Sequence, residues 1–238
     1  MKNATQRSFS YWQQKAQQFS GLYTNTNIPF FPSSIVACFL KNRTKLLLSL
    51  LPTPPVNHLL DLGCGSGPHI KLLITSCKHI VGVDYSKQML ELAKKDLKHL
   101  KRPKNHTWRL LHADAANLPI PARSFDSIIA MGLLDYVSSP QQVLKECRRV
   151  ITPKGICIIT IPKKPSLFSL LRNPPGDWIK RVIFHLPPID NAITKAELET
   201  LAHNTGFHIL TVKSLWGAMW MIKLHPHEAL KKRKNATR

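Results

Sequence analysis

Acidic residues are scarce in this chain, with 13 Asp and Glu against 34 Lys and Arg, for a formal net charge of +21. An excess of this size attracts polyanions such as RNA or an anionic membrane surface. It does not choose between them, and a basic surface that serves no partner would have the same composition. Contact with RNA and peripheral contact with an anionic membrane therefore both remain open.

The sequence also lacks the cysteine pairs of a disulfide framework or a zinc site. Its five cysteines include no C-x-x-C pair and are odd in number, which favours a reducing compartment and predicts no bound metal. No stretch has the form of a signal peptide, and no apolar run of about 18 residues is free of charge. These absences predict a soluble, cytoplasmic protein.

Strand-like and helix-like patterns alternate along most of the chain. The predicted strands are 56–62, 79–84, 107–112, 127–131, 156–161, 207–215 and 218–224, and the predicted helices are 33–51, 68–77, 86–100, 141–151 and 194–204. Continuous apolar strands that alternate with helices are typical of a parallel sheet covered on both faces. We predict an α/β fold, a seven-stranded, mostly parallel, doubly wound Rossmann-like sheet with an antiparallel last strand and N-terminal helices.

The most informative segment is Asp61-Leu62-Gly63-Cys64-Gly65-Ser66-Gly67, where an apolar strand pattern gives way to a helical one. Alternating glycines let the backbone turn sharply and leave its N–H groups open to a ligand at a helix N-terminus. A second apolar run ends at Asp84, and an acid about 20 residues beyond such a loop usually receives two ribose hydroxyls. The loop departs from the G-x-G-x-x-G spacing of dinucleotide sites. We infer a nucleoside site.

The acid-x-G-x-G-x-G loop resembles the first motif of the class I S-adenosylmethionine-dependent methyltransferases. Three later stretches also match: 112–115 resembles the family's acid-containing turn, 124–129 the entry to its fourth strand, and 149–155 its turn into the fifth strand. Together they are similar to the large small-molecule branch often called type 11. The resemblance covers about residues 56–225 and implies S-adenosylmethionine as the cofactor.

The placement of the aspartates agrees with that cofactor. Asp61, Asp84, Asp114 and Asp135 fall at or just beyond the carboxyl ends of predicted strands, the edge at which open α/β sheets bind ligands. S-adenosylmethionine offers an amine, a sulfonium and ribose hydroxyls to such a cluster of acids. For each aspartate, the alternative role is a helix cap or a turn.

The resemblance implies a role for each residue of the loop and of the acid that follows it. Gly63, Gly65 and Gly67 would let the methionine part and the ribose lie on the backbone. Asp61 would hold the amino group, directly or through water, and Asp84 would accept both ribose hydroxyls.

The resemblance also implies an adenine pocket and a sulfonium border. Tyr85 would cover the adenine face, and Asp114 and Ala115 would recognise the adenine edge. Met131 and Gly132 would border the sulfonium, although core packing is the alternative for Met131.

Asp135 and Tyr136 lie where acceptors approach in this family, so either could orient or deprotonate the accepting atom. A loop cap and a packed ring are their alternative roles. Our main hypothesis is methyl transfer to a small, apolar or lipid-like acceptor. The alternatives are an RNA-directed methyltransferase or RNA binder, and a non-catalytic scaffold with the methyltransferase fold.

Three regions follow from these patterns. We predict an N-terminal helical cap at 1–55, a methyltransferase domain at 56–225 with an insertion at 163–191, and a basic tail at 226–238. Within the insertion, residues 178–186 predict a basic amphipathic helix, which could be a lid, a lipid-facing patch or a core helix.

Overall fold

The computed structural model describes residues 31–52, 56–164, 166 and 191–227. The predictions for residues 1–30, for the helix at 178–186 and for the tail beyond residue 227 lie outside these ranges. The predicted domain boundaries stay predictions.

Seven strands form one sheet in the order β3-β2-β1-β4-β5-β7-β6. The strands are β1 Val56–Leu62, β2 Cys77–Asp84, β3 Thr107–His112, β4 Phe125–Ala130, β5 Ile151–Pro162, β6 Phe207–Leu215 and β7 Met219–Pro226. Strands β1 to β5 pair in parallel, whereas β7 is antiparallel to both of its neighbours, β5 and β6. The predicted fold class is therefore confirmed, with the last strand inside the sheet and β6 at its edge.

Helices cover both faces of the sheet. They are α1 Phe31–Leu50, α2 Pro68–Leu73, α3 Lys87–Leu97, α4 Pro140–Val150 and α5 Lys195–Asn204. Because successive strand side chains point to opposite faces, Leu59 packs in the cluster that includes α1, α2 and α3, while Leu60 packs in the cluster that includes α4 and α5. This double winding brings the carboxyl ends of β1, β2 and β4 to one edge.

Side-chain caps fix where three helices begin. Ser86, Ser139 and Thr194 accept backbone N–H bonds at the starts of α3, α4 and α5. At α5 the side chain of Glu197 also accepts from the Thr194 backbone, which completes a capping box. The starts of these helices are therefore determined locally.

The two largest differences from the predicted boundaries arise where strand pairing overrides local preference. The second helix ends at Leu73 rather than at residue 77, since β2 begins at Cys77 and pairs there with Val56. Residues 152–155, predicted as a turn, belong to β5, which pairs with β4 across a shift in register at this point.

Candidate functional site

The glycine loop between β1 and α2 has a backbone that only glycine adopts easily. Gly63, Gly65 and Gly67 have φ angles of 75°, 53° and 80°, in the left-handed region that other residues disfavour. The N–H groups of Gly63 and Cys64 donate to the carbonyl of Val83 at 2.8 and 3.0 Å. These bonds tie the loop to the end of β2.

The two sides of this loop differ in the space around them. A β-carbon at Gly63 would lie 3.0 Å from Cδ1 of Leu133, in the loop that follows β4. A β-carbon at Gly65 would meet no heavy atom within 4 Å. Gly63 is therefore a packing position, whereas Gly65 presents bare backbone to open space.

Asp84, the last residue of β2, is bonded directly to this loop. Its Oδ2 accepts the Gly65 N–H at 2.8 Å, and its Oδ1 accepts the Ser86 N–H at 2.8 Å. Burial raises the pKa of Asp84, the N–H groups of Ser86 and Gly65 counteract this, and the nearby charge of Asp61 adds to the rise. A carboxylate has about four acceptor positions, so both oxygens can accept further hydroxyl donors.

Asp61 is a deeply buried carboxylate near the same loop. Its side chain is 1% exposed, and neither of its oxygens has a hydrogen-bond partner among the described residues. The Nδ1 atom of His69, in the first turn of α2, lies 3.8 Å from Oδ1 of Asp61. A buried carboxylate that lacks hydrogen bonds destabilises a fold, and such a group is expected where a ligand supplies the missing donor.

His69 is a site residue that the sequence analysis missed. It is buried and stands beside Asp61 because α2 starts directly after the glycine loop. Its only sequence signal is its place in the first helical turn, and a single histidine there matches no motif.

Tyr85 and His112 form a partly exposed wall at the ends of β2 and β3. Tyr85 is 47% exposed, and its ring stacks on that of His112 with centroids 6.0 Å apart. The Nε2 atom of His112 lies 3.0 Å from the carbonyl oxygen of Tyr85. The wall flanks Asp84 and has aromatic surface open to a ligand.

Asp114 and Ala115 lie in a turn that follows β3. Oδ1 of Asp114 accepts the Ala116 N–H at 2.9 Å, and its carbonyl accepts the Asn117 N–H at 3.0 Å. Asp114 is exposed and Ala115 is buried. The turn role considered for Asp114 is therefore present, and it occupies one of the two carboxylate oxygens.

The end of β4 brings Met131, Gly132 and an unpredicted arginine together. Met131 is buried in the cluster on the α1 side of the sheet. Gly132 has a φ angle of 74° and donates its N–H to Oγ1 of Thr160 at 2.7 Å. A β-carbon at Gly132 would lie 3.0 Å from Nη1 of Arg43, so this glycine makes room for the buried guanidinium. The only signal for Arg43 is a charge that interrupts the apolar pattern of α1.

Asp135 and Tyr136 follow in the same loop, which a distant amide anchors. Asp135 is buried and Tyr136 is half-buried. Nδ2 of Asn191 donates to the carbonyls of Leu134 and Val137 at 2.8 and 2.7 Å. Sequence reasoning missed Asn191, because its partners lie far away along the chain.

The structure brings some of the predicted donor-site residues together and leaves Asp114 apart from them. Gly65 and Asp84 are joined by a hydrogen bond, and Asp61 is close enough for its charge to act on Asp84. Burial, followed by the charges of Asp61 and Asp84, raises the pKa of the Cys64 thiol. Asp114 bonds within its own turn and is not joined to this group by any contact described above.

No three or more His, Cys, Asp and Glu side chains in the described ranges are grouped so that they could hold a metal ion. None of the helices in the described part of the chain combines the length and the apolarity needed to cross a membrane.

Comparison with known proteins agrees with the fold. Residues 60–159 match the family model of the type 11 methyltransferase domain. The chain is 38% identical over 122 residues to a demethylmenaquinone methyltransferase of Thermotoga maritima. This alignment covers 50% of this chain and 48% of that protein. The chain is 24% identical over 234 residues to the demethylmenaquinone methyltransferase of Staphylococcus saprophyticus, covering 86% of this chain and 94% of that protein.

A solved structure extends the likeness to nearly the whole fold. The magnesium protoporphyrin IX methyltransferase of Synechocystis PCC 6803, crystallised with bound S-adenosylmethionine, superposes with a TM-score of 0.72 at 12% identity. The superposition covers 96% of this chain and 99% of that one. The chain spans about half the length of the Thermotoga relative and most of the Staphylococcus one.

The sheet order, the glycine loop and the acid that ends β2 define a class I methyltransferase fold. Within that class, residues 60–159 are similar to the type 11 methyltransferase domain family. This match agrees with the resemblance that the sequence motifs carry.

Proposed function

We propose that this chain is an S-adenosylmethionine-dependent methyltransferase that acts on a small, lipid-like acceptor related to a quinol. The observation on which the proposal rests is the glycine loop that is hydrogen-bonded to Asp84 and bare at Gly65. The two relatives named above are demethylmenaquinone methyltransferases, and this supports a quinone-related acceptor.

The residues present fit S-adenosylmethionine in charge and in shape. The open space at Gly65 admits a ligand against the backbone, and Gly63 and Gly67 give the loop its shape. Asp61 lacks a hydrogen-bond donor in the described structure, which an ammonium group supplies directly or through water. Asp84 has acceptor positions left for two ribose hydroxyls.

The neighbouring residues would complete the donor site. Tyr85 is exposed and would cover one face of the adenine. Asp114 and Ala115 would meet the adenine edge, and for Asp114 this leaves the oxygen that its own turn does not use. Met131 and Gly132, at the end of β4, would border the sulfonium.

When bound, S-adenosylmethionine supplies a methyl carbon that its positive sulfur activates for in-line displacement. The chain's own residues must then hold the acceptor at near-attack distance and exclude water. Asp135 and Tyr136 are the candidates to orient the acceptor or accept its proton. Asn191 keeps their loop in place through its two hydrogen bonds.

The partner and the compartment are also part of the proposal. The formal charge of +21 supports contact with a polyanion. We favour an anionic membrane over RNA because a lipid-like acceptor dissolves in membranes. All five cysteines are free, which supports a reducing compartment and so the cytoplasm.

Calorimetry with S-adenosylmethionine tests the donor site. Asp84→Asn should lose at least about tenfold in affinity, because a neutral amide replaces the acceptor of both hydroxyls. Asp126→Asn is the matched control. Asp126 lies near the start of β4, at the edge of the sheet opposite to the candidate site, and its side chain accepts the His58 N–H. Wild-type protein that binds no donor would support the scaffold alternative.

Transfer of labelled methyl to a demethylmenaquinol in detergent tests the acceptor. Label that appears in the quinol supports the proposed acceptor. Transfer to RNA and none to the quinol would support the RNA-directed alternative instead.

A further inference from the structure

The turn between β6 and β7 contains a tryptophan where the backbone favours a small residue. Trp216 and Gly217 have φ angles of 51° and 67°, and the turn is closed by the Ala218 N–H, which donates to the Leu215 carbonyl at 3.0 Å. Two-residue turns with positive φ at both positions prefer Asn and Gly. A bulky residue in this conformation is an outlier that suggests a function.

The indole of Trp216 packs against α1 on one side and is otherwise open to solvent. The ring of Phe39, on α1, packs edge-on against it with centroids 5.5 Å apart and an interplanar angle of 77°. Trp216 nevertheless remains 51% exposed. An anchored aromatic ring with half of its surface exposed is suited to binding a partner without a large loss of conformational freedom.

The turn lies at the same edge of the sheet as the candidate site. β7 is antiparallel to β5, and Met219 at its start pairs with Pro162 at the end of β5. The Lys163 N–H then donates to the Ala218 carbonyl at 2.9 Å. Trp216 therefore projects at the edge where β1, β2 and β4 end at the glycine loop, Asp84 and Asp135.

Three lysines lie on segments next to the turn, and the ammonium of one of them, Lys163, lies 4.5 Å from the centroid of the Trp220 ring. Lys163 is bonded to it through its backbone, Lys164 follows, and Lys213 is exposed on β6. Glu197 is an acid close to Lys164, and its carboxylate accepts the Thr194 N–H in the cap of α5. We call Phe39, Trp216 and these three lysines the hairpin surface. Its charge is positive, and its centre is aromatic.

We propose that the hairpin surface docks on an anionic lipid bilayer, with Trp216 at the level of the headgroups. Indole rings favour the membrane interface because one part is apolar and the N–H is polar. Nearby lysines add attraction to anionic lipids. Docking in this orientation turns the carboxyl edge of the sheet toward a membrane in which a lipid-like acceptor dissolves. This link between docking and the acceptor rests on the proposed function.

Flotation of the full chain with phosphatidylcholine vesicles, with and without phosphatidylserine, tests the proposal. Wild type should float only with the anionic vesicles. Trp216→Asn should bind at least about fivefold more weakly, since half of a large aromatic surface is lost from the contact. Lys213→Gln should lose up to about fivefold, the effect of one basic residue near such a surface.

Two controls separate docking from folding. Leu210→Asn removes a side chain that is 53% exposed on β6 but away from the turn, and it should float as wild type does. Trp216→Asn should unfold at a temperature no lower than wild type, because Asn tolerates positive φ. It should also bind S-adenosylmethionine with unchanged affinity.

Failure of wild type to float with anionic vesicles, or equal flotation of Trp216→Asn, would overturn the docking proposal. The hairpin surface would instead be assigned to RNA if Trp216→Asn lost only RNA binding in a salt titration, since exposed aromatic rings also stack on bases. Donor binding without flotation would overturn docking alone, and flotation without donor binding would overturn only the proposed function.

Discussion

Replacement of Gly65 by alanine separates the cost of backbone geometry from the cost of a blocked site. Gly65 and Gly217 both have positive φ, at 53° and 67°, and an added β-carbon at either position meets no heavy atom within 4 Å. Gly65→Ala and Gly217→Ala therefore impose the same kind of backbone strain without a steric clash. Only Gly65 faces the proposed donor site.

The positive φ angles set the expected loss of thermal stability, and the open space at Gly65 sets the expected loss of donor affinity. A left-handed conformation costs an L-residue about 1–2 kcal/mol, and about 1 kcal/mol lowers the midpoint of a domain of this size by roughly 2–4 °C. Both variants should therefore lose about 2–8 °C in Tm. Gly65→Ala should in addition lose at least about tenfold in affinity for S-adenosylmethionine, or ~1.4 kcal/mol, because its methyl group occupies the ligand's space.

Thermal unfolding and calorimetry measure these two quantities independently. Equal donor affinity for Gly65→Ala and wild type would show that the donor does not lie against this loop. An equal loss of affinity in Gly217→Ala would show that the effect comes from general destabilisation. Either result refutes the placement of the donor.

Three further predictions concern single side chains. In the absence of S-adenosylmethionine, Asp61→Asn should raise the free energy of unfolding by about 1–3 kcal/mol, since it removes a buried charge that lacks hydrogen bonds. The same change should weaken donor binding. Urea unfolding that shows a loss of stability would contradict the first expectation. The pKa of Asp84 is raised by burial, so its contribution to stability falls as the pH rises through that pKa. Donor affinity measured by calorimetry should instead fall as the pH drops through it, because the protonated carboxyl loses acceptor positions for the ribose hydroxyls. Affinity that is constant down to the ordinary range of an aspartate would contradict the role of Asp84. Asn191→Ala should lower the free energy of unfolding by about 1–2 kcal/mol through two lost hydrogen bonds. It should lower kcat by a larger factor than it lowers donor affinity, and a loss of donor affinity with kcat unchanged would show that the loop containing Asp135 does not serve the acceptor.

The sequence predicts best what depends on neighbouring residues. The glycine loop follows from the positive φ angles that its own backbone requires, and the start of α5 follows from Thr194 and Glu197 alone. Alternating patterns likewise gave the seven strands and the parallel core of the sheet. These features need no knowledge of distant contacts.

Long-range packing determines what the sequence could not show. Arg43 and Asn191 reach the site from elements whose positions depend on the whole fold. The position of β7 between β5 and β6 cannot be predicted from the sequence either, because the order of elements along a chain does not determine which strands pair. Asp114 shows a further limit, since the same side chain can close its own turn and face a ligand.

The contact of Leu133 with Gly63 links the two halves of the proposed reaction. One aliphatic side chain from the loop with Asp135 and Tyr136 touches the backbone of the glycine loop, so a shift of either loop displaces the other. Occupancy by one substrate should then alter the affinity for the second, and by the same factor in both directions.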